Sequence, residues 1–292
     1  MSVVGGQVHF NEIDTTVARS LLDQLLADSR LYKTSQSYKE LLGFVTRLRN
    51  FAPFNAMLLQ LQKPGLTYAA SAYDWQKRFD RRPKEDARPL LILWPFGPVA
   101  TVYDVQDTEG RPLPEDVASF FTAGRIADVQ MTSFKSRLRK KHILWEWVDA
   151  GDANAGKINA VRRAENKKEA TVYEVRINRN HDTATQFATL AHELGHLLLG
   201  HLGPDEKLKV SKRRSMTHAE VEIEAESIAY LVCRRNGVTP KSQTYLSGFI
   251  DHDFNADQLD LYQIMRAAGQ VEGLLGLTMN TKFETPPQIT CR

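Results

Sequence analysis

Apolar residues recur at helical spacing through most of the chain, interrupted by short stretches with strand patterning. The first helical period covers 12–29, where Val17, Leu21, Leu22 and Leu25 form a stripe and Glu12, Asp14 and Asp23 stay solvated. The second covers 37–50, with Leu41, Leu42, Val45 and Leu48 inward and Arg47 and Arg49 outward. Pro53 opens a third helix, 54–62, which stops before Pro64 and Gly65. A short aromatic and basic helix follows at 71–79. The apolar run 90–94 reads as a buried strand, and 99–105 reads as its antiparallel partner, joined through 95–98. Gly110, Pro112 and Pro114 then precede a short helix at 115–123.

The second half repeats the mixture. Residues 171–177 alternate, with Val172, Glu174 and Arg176 on one side and Tyr173, Val175 and Ile177 on the other. Asp182 is placed to cap a helix at 183–200. Another helix at 217–235 stops at Asn236 and Gly237. Helices at 239–251 and 256–274 follow, and the tail from Pro286 onward reads as loose. Between the halves, 149–157 reads as loop, 162–168 as a charged turn, and the basic run 135–141 as a solvated face. The pattern predicts an α+β protein. A helical domain with a small antiparallel sheet occupies 1–125, and a mostly helical domain with a small sheet occupies 126–292.

Composition narrows the classes. The chain has 292 residues, 42% hydrophobic and 25% charged, which is ordinary globular usage. Its net charge is +3, with the excess in the part after residue 130. The mild basicity permits an anionic partner without requiring one. Two cysteines, Cys233 and Cys291, exclude a disulfide framework and a cysteine-based zinc ribbon. No apolar run reaches transmembrane length, and the first residues lack the basic and apolar regions of a secretory signal. The expectation is a cytoplasmic protein with no membrane partner.

The chemistry concentrates at His192-Glu193-Leu194-Gly195-His196, an H-E-x-x-H pattern on the 183–200 helix. Phe187, Leu190, Ala191, Leu194 and Leu198 form one apolar stripe. His192 and His196 fall beside it on a common face, one turn apart, as two metal ligands require. Gly195 between them suggests that another element passes close by. A catalytic zinc needs a third protein ligand and an open position. The position that would hold a third histidine in the metzincin pattern is Leu202, so the ligand must come from elsewhere. The 217–235 helix is rich in glutamate. Its core stripe is Val221, Ala225, Ile228 and Val232, and Glu222 and Glu226 share the adjoining face with the small residues Ala229 and Cys233. Glu222 is therefore expected as the third ligand. Glu226 stands behind a ligating imidazole or, alternatively, is the ligand itself. Glu193 is the expected general base, taking a proton from the attacking water. The strand 171–177 offers an edge to an extended peptide substrate. Tyr230, His218 and His201 are candidate oxyanion donors.

His192 to His201 together with Glu222 to Tyr230 resembles the ImmA/IrrE-type metallopeptidases, relatives of the gluzincins. In that family an E-x-x-A helix supplies the third zinc ligand, and matching at Ala225 again indicates Glu222. The first part is similar to the N-terminal domain of ArdC-type antirestriction proteins, through 53–59, Tyr73-Asp74-Trp75, Trp94-Pro95 and 102–108. The resemblance implies a single-stranded DNA-binding domain followed by a zinc metallopeptidase-like domain. It also implies a mobile-element setting in which incoming DNA is protected from restriction. Where ArdC-type proteins carry a glycine- and lysine-rich loop, this chain has 79–89 without glycine, and 125–170 matches nothing in the family. Trp75, Lys77, Arg78, Arg81, Arg82 and Lys84 interleave an aromatic residue with cations as a single-strand groove would, and Arg47, Arg49, Asn55 and Lys63 extend the set. The expected activity is zinc-dependent proteolysis of a peptide or protein substrate. The alternative is a non-catalytic antirestriction protein that binds single-stranded DNA around a structural metal.

Overall fold

Thr34 and Ser37 form a reciprocal capping box that starts α1 (Ser35–Arg47). The structure, a computed structural model, describes residues 34–94, 97–113, 126–151, 155–239 and 259–278. The helices expected at 12–29 and 115–123, nearly all of the one at 239–251, the tail and the boundary at 125 lie outside the described residues. α1 ends at Arg47, short of the expected residue 50, because the Val45 and Leu48 carbonyls are taken by Arg235 from the far half of the chain. α2 (Pro53–Gln62) has proline at its first turn, and α3 (Ala72–Phe79) is capped by Ser71 accepting from the Asp74 amide.

Three small sheets accompany the helices. β1 (Ala69–Ala70), β4 (Gly97–Asp104) and β3 (Leu90–Trp94) pair antiparallel in the order β1-β4-β3. β2 (Arg81–Pro83) pairs antiparallel with β5 (Thr108–Gly110). The third sheet holds β6 (Ile143–Val148), β7 (Gly156–Arg162) and β8 (Val172–Asn178) in the order β6-β8-β7. β8 is therefore the central strand, parallel to β6 and antiparallel to β7, and both its edges are used. This corrects the expectation that 171–177 offers an edge to substrate; the outer strands are β6 and β7.

The stretch from 126 to 162 holds regular elements that the periodicity did not assign. α4 (Asp128–Arg139) buries Met131, Phe134 and Leu138 and leaves most of the basic run outside. β6 and β7 then flank β8. The α+β composition of the chain thus stands as read from its periodicity, with more strand in the second half.

α5 (Thr183–Leu198), α6 (His218–Arg235) and α7 (Leu261–Leu275) complete the described elements. α5 stops two residues before the expected end, where Gly200 turns left-handed at φ +82. One apolar core runs continuously from Tyr38 on α1 to Leu275 on α7. Polar contacts reinforce this continuity: Tyr38 Oη donates to Ser227 Oγ on α6 at 2.6 Å. Arg235 is only 2% exposed and donates to the carbonyls of Val45, Leu48, Arg49 and Phe51 and to Glu272 on α7. The helix that carries the glutamates is thereby tied to both halves of the chain. No helix among the described residues is long and apolar enough to cross a membrane.

Candidate metal centre

Two helices build the site. Asp182 caps α5, accepting from the Thr185 amide at 2.7 Å. Phe187, Leu190, Ala191, Leu194 and Leu198 are buried beneath it, and this fixes the roll of the helix so that His192 and His196 emerge half-buried on one face. α6 opens with a capping box between Thr217 and Glu220. A Cβ on Gly195 would lie 3.4 Å from Ile228 Cβ and 3.5 Å from the Ala225 backbone. The element passing close to Gly195 is therefore α6. Its glutamates arrive beside the histidines because small residues line the contact.

The Nε2 atoms of His192 and His196 are 2.9 Å apart. Glu222 Oε2 lies 3.5 Å from His192 Nε2, and Glu222 Oε1 lies 3.7 Å from His196 Nε2. One donor atom from each of the three residues falls within 4.8 Å of the others. Glu226 stands on the opposite side of His192, with Oε1 3.2 Å from Nδ1, an ion-pair distance without a well-aligned hydrogen bond. Of the two glutamates on this face, Glu222 points at the two Nε2 atoms and Glu226 points at the rear of one ring.

A second line of contacts runs behind His196. Its Nδ1 is 2.9 Å from His201 Nδ1, His201 Nε2 is 3.2 Å from Glu224 Oε2, and Arg213 Nη2 donates to Glu224 Oε1 at 2.8 Å. Glu224 is fully buried and the His201 ring is 4% exposed. With both imidazoles neutral, the donors and acceptors run in one direction. Glu224, held by Arg213, is an acceptor, so His201 carries its proton on Nε2 and offers a lone pair at Nδ1. His196 then carries its proton on Nδ1, which leaves Nε2 free to bind a cation. His201 was expected among the oxyanion donors; both its ring nitrogens are committed here instead.

The protonation tendencies fit a cation site. Burial depresses His192, but Glu222 and Glu226 outweigh it and hold its pKa up at about 10. Burial and then the neighbouring His192 charge pull His196 down to about 4. The carboxylates around His192 thus favour positive charge at this point, where a metal ion would sit. Glu222 is lowered, first by its hydrogen bond to His192. Glu193 is raised, mainly by burial, which favours a carboxyl able to hold a proton. The backbone of Ile158 on β7 hydrogen-bonds the Glu193 carboxylate. Two imidazoles and one carboxylate make a donor set that would fit a divalent metal ion.

The remaining expected residues are placed elsewhere. Trp75 is 0% exposed, packs with Tyr68 and Phe79, and donates from Nε1 to the Tyr103 carbonyl at 2.9 Å. In that position its ring is core and has no face for a base, contrary to the expected stacking role. Asn55 clamps β3 through both the amide and the carbonyl of Leu93. Arg81 binds Thr108 and Arg111, Arg82 pairs with Glu109, Lys84 donates to the Gln106 carbonyl, and Lys63 pairs with Asp104 and Asp107. Arg78 approaches Asp74 and lies over Phe79, Lys77 lies over Tyr73, and Arg47 lies over Phe44. Arg49 donates to Asn236 at 2.6 Å. His218 is 89% exposed with Nδ1 3.7 Å from Glu222 Oε1, and Tyr230 is half-buried on α6.

Sequence reasoning missed Glu224, Arg213 and the Ile158 strand. Glu224 carried a usable signal: it lies between Ile223 and Ala225 and is followed by Ser227 and Ile228, which makes a solvated position hard to reconcile with a buried helix.

Comparison with known proteins agrees with this half of the chain. Among curated proteins none matches. Two solved structures of the antirestriction ArdC protein from plasmid R388 are similar at 17% identity. The Mn(II)-bound form aligns over 89% of this chain and 96% of that chain with a TM-score of 0.39. The metal-free form aligns over 76% and 82% with a TM-score of 0.35. Residues 154–233, which carry β7, β8, α5 and nearly all of α6, match the model of the IrrE N-terminal-like domain family, Peptidase_M78.

Proposed function

We propose that the protein is a zinc-dependent peptidase whose ion is held by His192, His196 and Glu222, with Glu193 as general base and Glu226 orienting His192. The observation that carries this reading is the convergence of the two Nε2 atoms and the Glu222 carboxylate beside a buried Glu193 whose pKa is raised. A site that only held metal would have no use for that carboxyl. A bound divalent ion supplies Lewis acidity, polarising a substrate carbonyl and making a water more acidic. The rest falls to the chain. Glu193 accepts the proton of the water as its oxygen adds to the carbonyl carbon, then delivers that proton to the departing amine as the C–N bond breaks. β7 lies against the site helix: Gly156 is so close to Thr189 that a Cβ would sit 2.7 Å from its methyl group. As an outer strand bonded to Glu193 through Ile158, β7 is the natural place for an extended peptide to pair. His192 and His196 keep 17% and 13% of their side chains exposed, which leaves the site within reach of such a chain.

The test is Glu193→Gln. The zinc-loaded variant should keep its metal and lose cleavage of a proteome-derived peptide library, with new termini counted by mass spectrometry. Equal cleavage by wild type and variant would dismiss the peptidase reading.

A further inference from the structure

The two site helices address the metal centre in the same way. α5 presents His192 and His196 at i and i+4, and α6 presents His218 and Glu222 at that same spacing. In a helix this spacing stacks two side chains on one face, one turn apart. The Glu222 carboxylate is where the two pairs meet. Its Oε2 lies 3.5 Å from His192 Nε2, and its Oε1 is equally far, 3.7 Å, from His196 Nε2 and from His218 Nδ1. His218 is the member of this group that stands outside the three-residue set of the metal centre.

His218 combines a fixed backbone with a free ring. It is the first residue of α6, directly after the Thr217 cap. Glu220 accepts from the Thr217 amide at 2.7 Å and from its hydroxyl at 3.0 Å, and Arg214 donates to the other carboxylate oxygen at 2.6 Å. These contacts hold the start of the helix, and with it the Cα of His218, beside the site. The ring itself is almost wholly exposed, whereas those of His192 and His196 are mostly buried. Among the described residues, the one side chain it pairs with is Glu222. An exposed side chain of this kind changes rotamer in picoseconds to nanoseconds.

We infer that His218 is a fourth, detachable ligand of the ion held by His192, His196 and Glu222, an inference that rests on that site being a metal centre. With the ring turned in beside Glu222, the chain offers four ligands, the closed arrangement of a structural zinc site. With the ring turned out, one position is left for a water or a substrate carbonyl, as catalysis requires. His218 thereby decides whether the site is closed or open. The other two imidazoles cannot take this part, because each has a partner at its back: His192 has Glu226 and His196 has His201. His218 has no such partner, so it is the ligand that leaves. A role as oxyanion donor fits less well, since such a donor must be held in place before the reaction and this ring is not held.

The experiment uses the full chain, stripped with chelator and reloaded with Co(II), whose visible absorption changes with the number and kind of its ligands. His218→Ala should alter the cobalt spectrum and weaken zinc binding about tenfold in competition with a chromophoric chelator. The loss stays small because a water takes the vacated position. Free imidazole should restore the wild-type spectrum to the variant. Acetohydroxamate, a small bidentate metal ligand, should bind cobalt-loaded His218→Ala more tightly than cobalt-loaded wild type, because no ring has to leave first. The melting temperature of the stripped variant should match wild type. The inference is overturned if His218→Ala keeps the wild-type cobalt spectrum and zinc affinity, or if imidazole leaves its altered spectrum unchanged. Lost peptide cleavage with an unaltered metal site would place the ring on the substrate instead. Wild type that takes up neither cobalt nor zinc would remove the metal centre itself, and this inference with it.

Discussion

Replacing His201 tests whether the chain of contacts behind His196 governs metal affinity. The ring is nearly inaccessible and is the acceptor for His196 Nδ1 at 2.9 Å. His201→Leu leaves that N–H without a partner in a buried place, a penalty of about 1–3 kcal/mol. The imidazole can escape the penalty by moving its proton to Nε2, but that blocks the nitrogen the cation needs. Either route reduces the binding-competent fraction, and the expected result is a 10–100-fold weaker zinc affinity, about 1.4–2.7 kcal/mol. His201→Asn restores an acceptor oxygen near the Nδ1 position and should recover most of the affinity even though its contact with Glu224 is lost. The assay is competition with a chromophoric zinc chelator, read beside the melting temperature of each chelator-treated variant. A merely structural role for His201 would lower both melting temperatures and leave zinc affinity alone. The tautomer assignment is refuted if His201→Leu binds zinc as tightly as wild type, or if Asn and Leu are equally impaired.

Two other substitutions probe the frame. Arg235→Ala strands Glu272 in the core and frees four carbonyls between Val45 and Phe51, so unfolding in urea should show a loss of about 3–5 kcal/mol. Gly195→Ala should be neutral or stabilise by up to about 1 kcal/mol, because helix propensity improves and its Cβ meets α6 at ordinary contact distance. Gly195→Leu should instead push α6 away and weaken zinc binding in the same chelator assay.

The metal helix was legible because its information is local. Its apolar stripe, the Asp182 cap and the spacing of His192 and His196 are all set by residues within a few turns. The face that carries Glu222 and Glu226 was marked by its small residues Ala229 and Cys233, and the family match at Ala225 pointed to Glu222. What escaped depends on contacts distant in sequence. β8 reads as an amphipathic strand, yet its central place is decided by β6 and β7, and the parallel β6–β8 pair leaves no local mark. In α4 the spacing of Met131, Phe134 and Leu138 was present, but the cations around it drew the reading toward a solvated run. Trp75 shows the reverse error: an aromatic flanked by arginines resembles a stacking platform, while the chain uses its indole to pin α3 onto β4. The role of Glu224 escaped because Arg213 and His201, which make its burial tolerable, come from the segment joining the two site helices.

The most direct test of the metal centre is the zinc content of chelator-stripped and reloaded protein, measured by inductively coupled plasma mass spectrometry. Wild type and Glu226→Ala should each hold one ion per chain, with Glu226→Ala releasing it more readily, and Glu222→Ala should hold none after gel filtration. Full zinc occupancy in Glu222→Ala, or loss of the ion from Glu226→Ala alone, would contradict the site as it is drawn here.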